Sequence, residues 1–334
     1  MLRGIGSLAF AASLGALVAG CGGGSGTSAM GGAALPKPIT SSAFKPKIMP
    51  TIHISRKSIA AAMAKLTRAG AYFSPIKGGK VIRLQTKSVS AGMDLTNNGG
   101  PVVPTASVYN ILVNCADESC WGGNISAFEN NLFSSDMIHI LDQYEGQAAT
   151  YTVGADVPVT YDTSNQLGDQ DIINIIYNVA QQYGTGYTNV YNVFLASGVQ
   201  QCSQNAGGCY LQQYCAYHGS NDYSDIGHTL YTVEPYQDVS GCQVSSVSNG
   251  GQSPNGSTVD STASTLSHEL SETFTDPDVA INNLAWYNSQ GGEIGDLCAP
   301  AAGVNTQQIG LNGTTYEIQG EYDNTVSDCS WQSP

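Results

Sequence analysis

The 334-residue chain is split by charge into two parts that share no sign. All twelve Lys and Arg residues lie between Arg3 and Lys87, and all twenty-six Asp and Glu residues lie between Asp94 and Asp328. From Ser88 to Pro334, 247 residues carry no basic side chain except histidine. A formal charge of −26 strains a compact domain through self-repulsion, and protonating carboxylates relieves that strain. The acidic part is therefore expected to suit acidic surroundings. It is a poor partner for nucleic acid and anionic lipid, and it offers nothing to proteases that cut after Lys or Arg. The basic part offers many such bonds, the last at Lys87.

Ahead of that boundary, Arg3, an apolar run from Ile5 to Val18 and the small residues before Cys21 describe an export signal over residues 1–20. Val18-Ala19-Gly20-Cys21 has the form of a bacterial lipobox, in which Cys21 is acylated and ties the mature chain to a membrane. Residues 21–50 read as a flexible Gly/Ser/Pro tether. Residues 51–87 read as a basic pro-segment or spacer, and 88–334 as the main domain. The expected location is outside the cell, anchored at the envelope or released. Eight further cysteines, Cys115, Cys120, Cys202, Cys209, Cys215, Cys242, Cys298 and Cys329, form an even set, which in an exported chain reads as disulfides. None has zinc-finger spacing. Cys298 with Cys329 is the one pair singled out, because it clips the tail to the motif described below.

Ala106–Val113, Thr150–Tyr161, Val190–Leu195 and Thr229–Val233 have strand patterns. Ile125–Tyr144 reads as a helix, and a second helix runs from Asp169 to near Gly184. Cys202–Ser220 reads as a cysteine-rich loop that carries His218, and Asn312-Gly313 centres a closing hairpin. Helices mixed with irregularly ordered strands predict an α+β, disulfide-braced domain with a mixed sheet.

The chemistry concentrates in Ser267-His268-Glu269-Leu270-Ser271-Glu272. On a helix capped by Asp260 and ended by Asp276-Pro277, Leu266, Leu270 and Phe274 form one apolar stripe. His268 and Glu272 meet on a second face, with Glu269 beside them. This is the H-E-x-x-H pattern of zinc peptidases with glutamate in place of the second histidine. A catalytic zinc takes about three protein ligands and keeps one position open. His268 and Glu272 supply two. Glu293, twenty-one residues beyond Glu272, is the expected third, at a spacing close to that of thermolysin-like enzymes. His218 is its rival, and Asp296 or Asp276 would orient a ligand. Glu269 is the expected general base. Protons compete with a metal for imidazole below about pH 6.5 but for carboxylate only below about 4.3, so the exchange suits an acidic medium. Two readings stand against zinc: a calcium ion among Glu272, Asp276, Asp278, Glu293 and Asp296, or a merely solvated helix face at Glu269 and Glu272.

Cys215-Ala216-Tyr217-His218, Ser267–Glu272, Thr275-Asp276-Pro277, Ala285-Trp286-Tyr287 and Glu293-Ile294-Gly295-Asp296-Leu297-Cys298, in that order, resemble the Exordium-like, phosphate-induced protein family. The resemblance runs roughly from Gly99 to Gly320. It implies an extracellular disulfide-bearing domain. The family's plant members are associated with growth responses, and its bacterial members keep the His-Glu pair and look metallopeptidase-like. The expectation is thus an exported zincin-like metallohydrolase acting on peptide or protein. The alternative is a non-catalytic binding or signalling domain with structural calcium.

Overall fold

The computed structural model describes residues 39–40, 94–244, 253–279, 283–289, 291–300 and 304–333. Every described residue belongs to one compact unit, Lys37–Pro334. The expected export signal, Cys21 and the basic segment lie outside the described residues. Of the expected tether, only Ile39–Thr40 is described.

Fourteen strands are described: β1 Ile39–Thr40, β2 Thr96–Asn97, β3 Thr105–Val113, β4 Thr150–Thr160, β5 Asn189–Leu195, β6 Cys202–Ser203, β7 Gly208–Cys209, β8 Tyr217–Tyr223, β9 Gly227–Glu234, β10 Trp286–Tyr287, β11 Gln307–Leu311, β12 Thr314–Ile318, β13 Glu321–Asp323 and β14 Asp328–Ser330. Four helices accompany them: α1 Ile125–Phe133, α2 Asp142–Glu145, α3 Asp169–Tyr183 and α4 Ser257–Thr275. Six strands form one mixed sheet in the order β1-β4-β3-β5-β9-β8, parallel throughout except for β8. No helix among the described residues is long and apolar enough to cross a membrane.

The central strands are apolar in succession because both faces of the sheet are covered. Ile111, Val113, Tyr191, Val193 and Val233 pack with Ile172, Ile175, Ile176 and Val179 of α3. Their alternates Val108, Leu112, Val190, Phe194 and Leu230 share the opposite core with Phe128 and Leu132 of α1 and with the α4 stripe Leu266, Leu270 and Phe274. The expected long helix over 125–144 is interrupted. Ser135 bonds back to the Leu132 carbonyl through both its amide (3.1 Å) and its hydroxyl (2.7 Å), which closes α1 early. A 3-10 turn at Asp136–Leu141 then leads into α2.

On the α4 side of the sheet, one registered row is polar. Asp156, Asn110, Asn192, Thr232 and His218 lie opposite one another across five strands. Asn192 donates to Asn110 Oδ1 and Thr232 donates to Asn192 Oδ1, each at 3.1 Å. Glu129 of α1 caps the row by accepting from Asn110 (2.8 Å) and Asn192 (2.9 Å). The row ends at His218 on the edge strand. His218 therefore sits on a strand, which corrects the loop expected for it. Buried His218, Ser220 and Asn221 disguise the apolar alternation by which β8 would have been recognised.

Helix α4 is buried along nearly its whole length although most of its residues are polar. Four of its hydroxyls are satisfied within the helix: Thr262, Ser267, Thr273 and Thr275 donate to the carbonyls of Thr258, Ser264, Glu269 and Ser271 at 2.7–3.0 Å. The helix stops before Asp276-Pro277, as the proline requires. Asp260 does not cap it, however. The helix begins at Ser257 behind Gly256, and the Asp260 carboxylate instead accepts from the backbone and side-chain amides of Asn255.

Disulfides join Cys115–Cys120, Cys202–Cys209, Cys215–Cys242 and Cys298–Cys329, the last as expected. The closing hairpin of β11 and β12 turns at Asn312 and Gly313, whose positive φ values of 45° and 87° fit a two-residue turn.

Candidate metal centre

Helix geometry brings His268 and Glu272 together as their spacing predicts, with Nε2 and Oε1 3.1 Å apart. The other oxygen of the same carboxylate, Oε2, lies 3.3 Å from Nδ1 of His218, which reaches in from β8. Glu269 Oε2 stands 3.5 Å from that Nδ1. Glu293 also meets His218, at its other ring nitrogen: Oε1 to Nε2 is 3.6 Å. Asp296 approaches His268, with Oδ1 4.0 Å from Nε2. Two sets of three ligand atoms result, each with its atoms within 4.8 Å of one another: His218, Glu269 and Glu272, and His268, Glu272 and Asp296. Glu293 belongs to neither set.

Asp276 contributes mainly through its backbone. Its carbonyl accepts from His218 Nε2 at 3.2 Å, while its Oδ1 accepts from the Ala285 amide at 2.7 Å. The segment carrying Glu293 and Asp296 is held at several points. Cys298 is bridged to Cys329, Tyr322 N–H donates to the Ile294 carbonyl at 3.0 Å, and Asp296 N–H donates to Glu272 Oε1 at 3.1 Å. Gly295 passes directly beneath the His268 ring. The Gln319 amide donates to the Gly295 carbonyl (3.1 Å) and lies 2.9 Å from His268 Nδ1. In that orientation Gln319 also donates to Nδ1, and a neutral His268 carries its proton on Nε2, toward Glu272. Ligation through Nε2 requires the proton on Nδ1 and the opposite amide orientation.

The centre is buried and strongly acidic. Burial works against a charged His268 and against a charged Glu272, but their mutual attraction wins: His268 is raised above its usual range, and Glu272 is held down at about 2. The remaining carboxyls move the other way. Burial, reinforced by Glu272, pushes Glu269, Glu293 and Asp296 well above their ordinary values. Burial raises Asp276 and Glu234 to about 8 and lifts Glu321 well above its range. No Lys or Arg beyond Lys87 exists to balance them. Both oxygens of Glu269 and of Glu293, and Oε2 of Glu272, are buried and accept no hydrogen bond among the described residues. Such groups cost about 1–3 kcal/mol each, and more when charged. Two imidazoles and several such carboxylates fit a divalent cation in donor type and number.

Glu234, Gln319 and Glu321 complete the surroundings and carry no sequence pattern that singles them out. Asp278, counted with the calcium cluster, is occupied elsewhere by His228 Nε2 (3.0 Å) and the Tyr187 hydroxyl (2.7 Å). His139 pairs with Asp142 at the surface. Compared with known protein families, curated proteins and solved structures, the chain finds no match in any of the three. The Exordium-like resemblance therefore rests on the residues quoted for it.

Proposed function

We propose that the acidic domain is a zincin-like metallohydrolase that cleaves peptide bonds in an acidic medium outside the cell, tethered through Cys21. The observation that carries this reading is the buried set of both Glu269 oxygens, both Glu293 oxygens and Glu272 Oε2, which accept no hydrogen bond among the described residues and stand beside two imidazoles. His268, Glu272 and Asp296 would hold the ion, so the third ligand shifts from Glu293 to Asp296. Nitrogen donors favour zinc over calcium, which prefers oxygen alone. A divalent ion there supplies Lewis acidity, polarising a carbonyl and acidifying a water. Glu269 Oε2 takes the proton of the attacking water and returns it to the leaving amine. His218, its Nε2 held by the Asp276 carbonyl, turns Nδ1 toward Glu269 Oε2 at 3.5 Å. Four disulfides support an oxidising location.

Full-length protein should contain zinc and hydrolyse denatured protein at pH 4–6, lose activity to a chelator and regain it with Zn2+. Glu269→Gln should abolish turnover while metal remains. Metal-free protein with full activity would end the proposal. One observation favours the second reading, a structural ion in a non-catalytic domain: His218, His268, Glu269, Glu272 and Glu293 are all buried. Bound metal without turnover on any denatured protein would select it.

A further inference from the structure

We infer that Glu272 bridges two cation positions, so that the cluster takes a pair of divalent ions: one at His268 Nε2, Glu272 Oε1 and Asp296, the other at His218 Nδ1, Glu272 Oε2 and Glu269. This rests on the proposed metal-binding reading of the same residues and changes its stoichiometry and the role of Glu269.

The first argument is the division of one carboxylate. Glu272 turns Oε1 to His268 at 3.1 Å and Oε2 to His218 at 3.3 Å, and it is the one residue that both sets of three ligands share. A carboxylate spanning two ions about 3.5–4 Å apart is the usual construction of a two-metal hydrolytic site.

The second argument is the tautomer of His218. Its Nε2 lies 3.2 Å from the Asp276 carbonyl, which can only accept, so Nε2 carries the proton of the neutral ring. The lone pair of Nδ1 is then directed at Glu269 Oε2 and Glu272 Oε2, 3.5 and 3.3 Å away. Three electron-rich atoms converge in a buried place, and neither Glu269 oxygen accepts a hydrogen bond among the described residues. A ring nitrogen whose partner N–H is fixed by a backbone carbonyl is the arrangement of a metal-ligating histidine. A single ion at His268 leaves this second convergence uncompensated.

The third argument is charge. Glu269, Glu272, Glu293 and Asp296 bring four carboxylates, and no Lys or Arg lies between Ser88 and Pro334. One divalent ion balances two of them and leaves the others uncompensated. In the two-ion arrangement Glu269 is a ligand rather than a free base.

The test is metal counting on the full chain, dialysed against Zn2+ and freed of excess ion, by elemental analysis with protein quantified independently. Two ions per chain are expected. Reconstitution with Mn2+ should give the electron paramagnetic resonance spectrum of a spin-coupled pair. Glu269→Gln, close to isosteric, should fall from two ions to one and show an uncoupled Mn2+ signal. His218→Asn should do the same. Circular dichroism at matched temperature shows whether each variant is folded. If Glu269→Gln does not fold, the wild-type stoichiometry and Mn2+ spectrum still decide. One ion per chain in the wild type, with a proton serving in place of the other, overturns the pair and leaves the single-metal reading standing. Zero ions overturns both. Two ions that persist in Glu269→Gln and His218→Asn refute the assigned ligands.

Discussion

Gly295 lies so close beneath the His268 ring that a Cβ there would stand 2.6 Å from Nδ1 and 2.7 Å from Cγ. A real side chain cannot occupy that space, so Gly295→Ala must displace His268 or the segment that carries Asp296. Overpacking of this kind costs about 1–3 kcal/mol. We expect a lower melting temperature and at least a tenfold loss of Zn2+ affinity. Gly292→Ala is the control. Its Cβ would meet chiefly the flexible end of Leu297 at 3.0 Å, so it should do much less harm. Equal losses in both variants would contradict the assigned role of Gly295.

Stability should rise on acidification, and Glu145 offers a way to see why. Burial raises its carboxyl from 4.5 to about 8. Protonated, it donates to the Tyr151 hydroxyl, which in turn donates to the Val103 carbonyl at 2.9 Å. The folded chain keeps this proton between about pH 4.5 and 8, and the unfolded chain gives it up. The contribution is therefore complete below pH 4.5 and is lost as pH climbs through 8. Melting curves from pH 4.5 to 8 should shift downward by a few degrees, and Glu145→Gln should flatten that slope. An unchanged slope in the variant would assign the effect to other carboxyls.

Breaking Cys298–Cys329 should disturb more than the tail. The double variant Cys298→Ser, Cys329→Ser should lose about 2–4 kcal/mol in urea titration. Because Cys298 also ends the segment that presents Glu293 and Asp296, Zn2+ affinity should fall with it. Removing Cys202–Cys209, which closes a seven-residue separation away from the cluster, should leave affinity unchanged.

Brief trypsin treatment of the full chain should leave one resistant fragment that begins at or near Ser88. No Lys or Arg follows Lys87. If 51–87 is a pro-segment, the trimmed domain should be the more active form, and the freed basic piece should co-purify at low salt but not at high salt. Identical activity and stability before and after trimming would leave that segment as a spacer.

The sequence made four of the six strands of the central sheet legible, because runs such as Val190–Leu195 are apolar enough to be covered on both faces. It made the motif helix legible by its apolar stripe and its terminal proline. The His268–Glu272 contact followed from helical spacing alone. What stayed hidden depended on distance along the chain. His218 meets Glu269 from a strand about fifty residues earlier, and its strand is masked by buried polar residues. That Asp296 rather than Glu293 neighbours His268 is decided over the three residues leading into the 3-10 turn at Asp296–Cys298, too fine a scale for spacing to resolve. Glu234, Gln319 and Glu321 arrive from strands and a strand end whose own patterns are unremarkable, so only tertiary packing collects them.

The four disulfides share a property that bears on how the molecule is made. Each cysteine from Cys115 onward is joined to the very next one in the chain: 115 to 120, 202 to 209, 215 to 242, 298 to 329. Eight cysteines admit about a hundred complete pairings. A chain entering an oxidising compartment amino-terminus first would present them one at a time. Joining each newcomer to the last unpaired arrival yields the native set without a single exchange. Correct oxidation is thus written into the order of emergence, and the domain should mature without an isomerase.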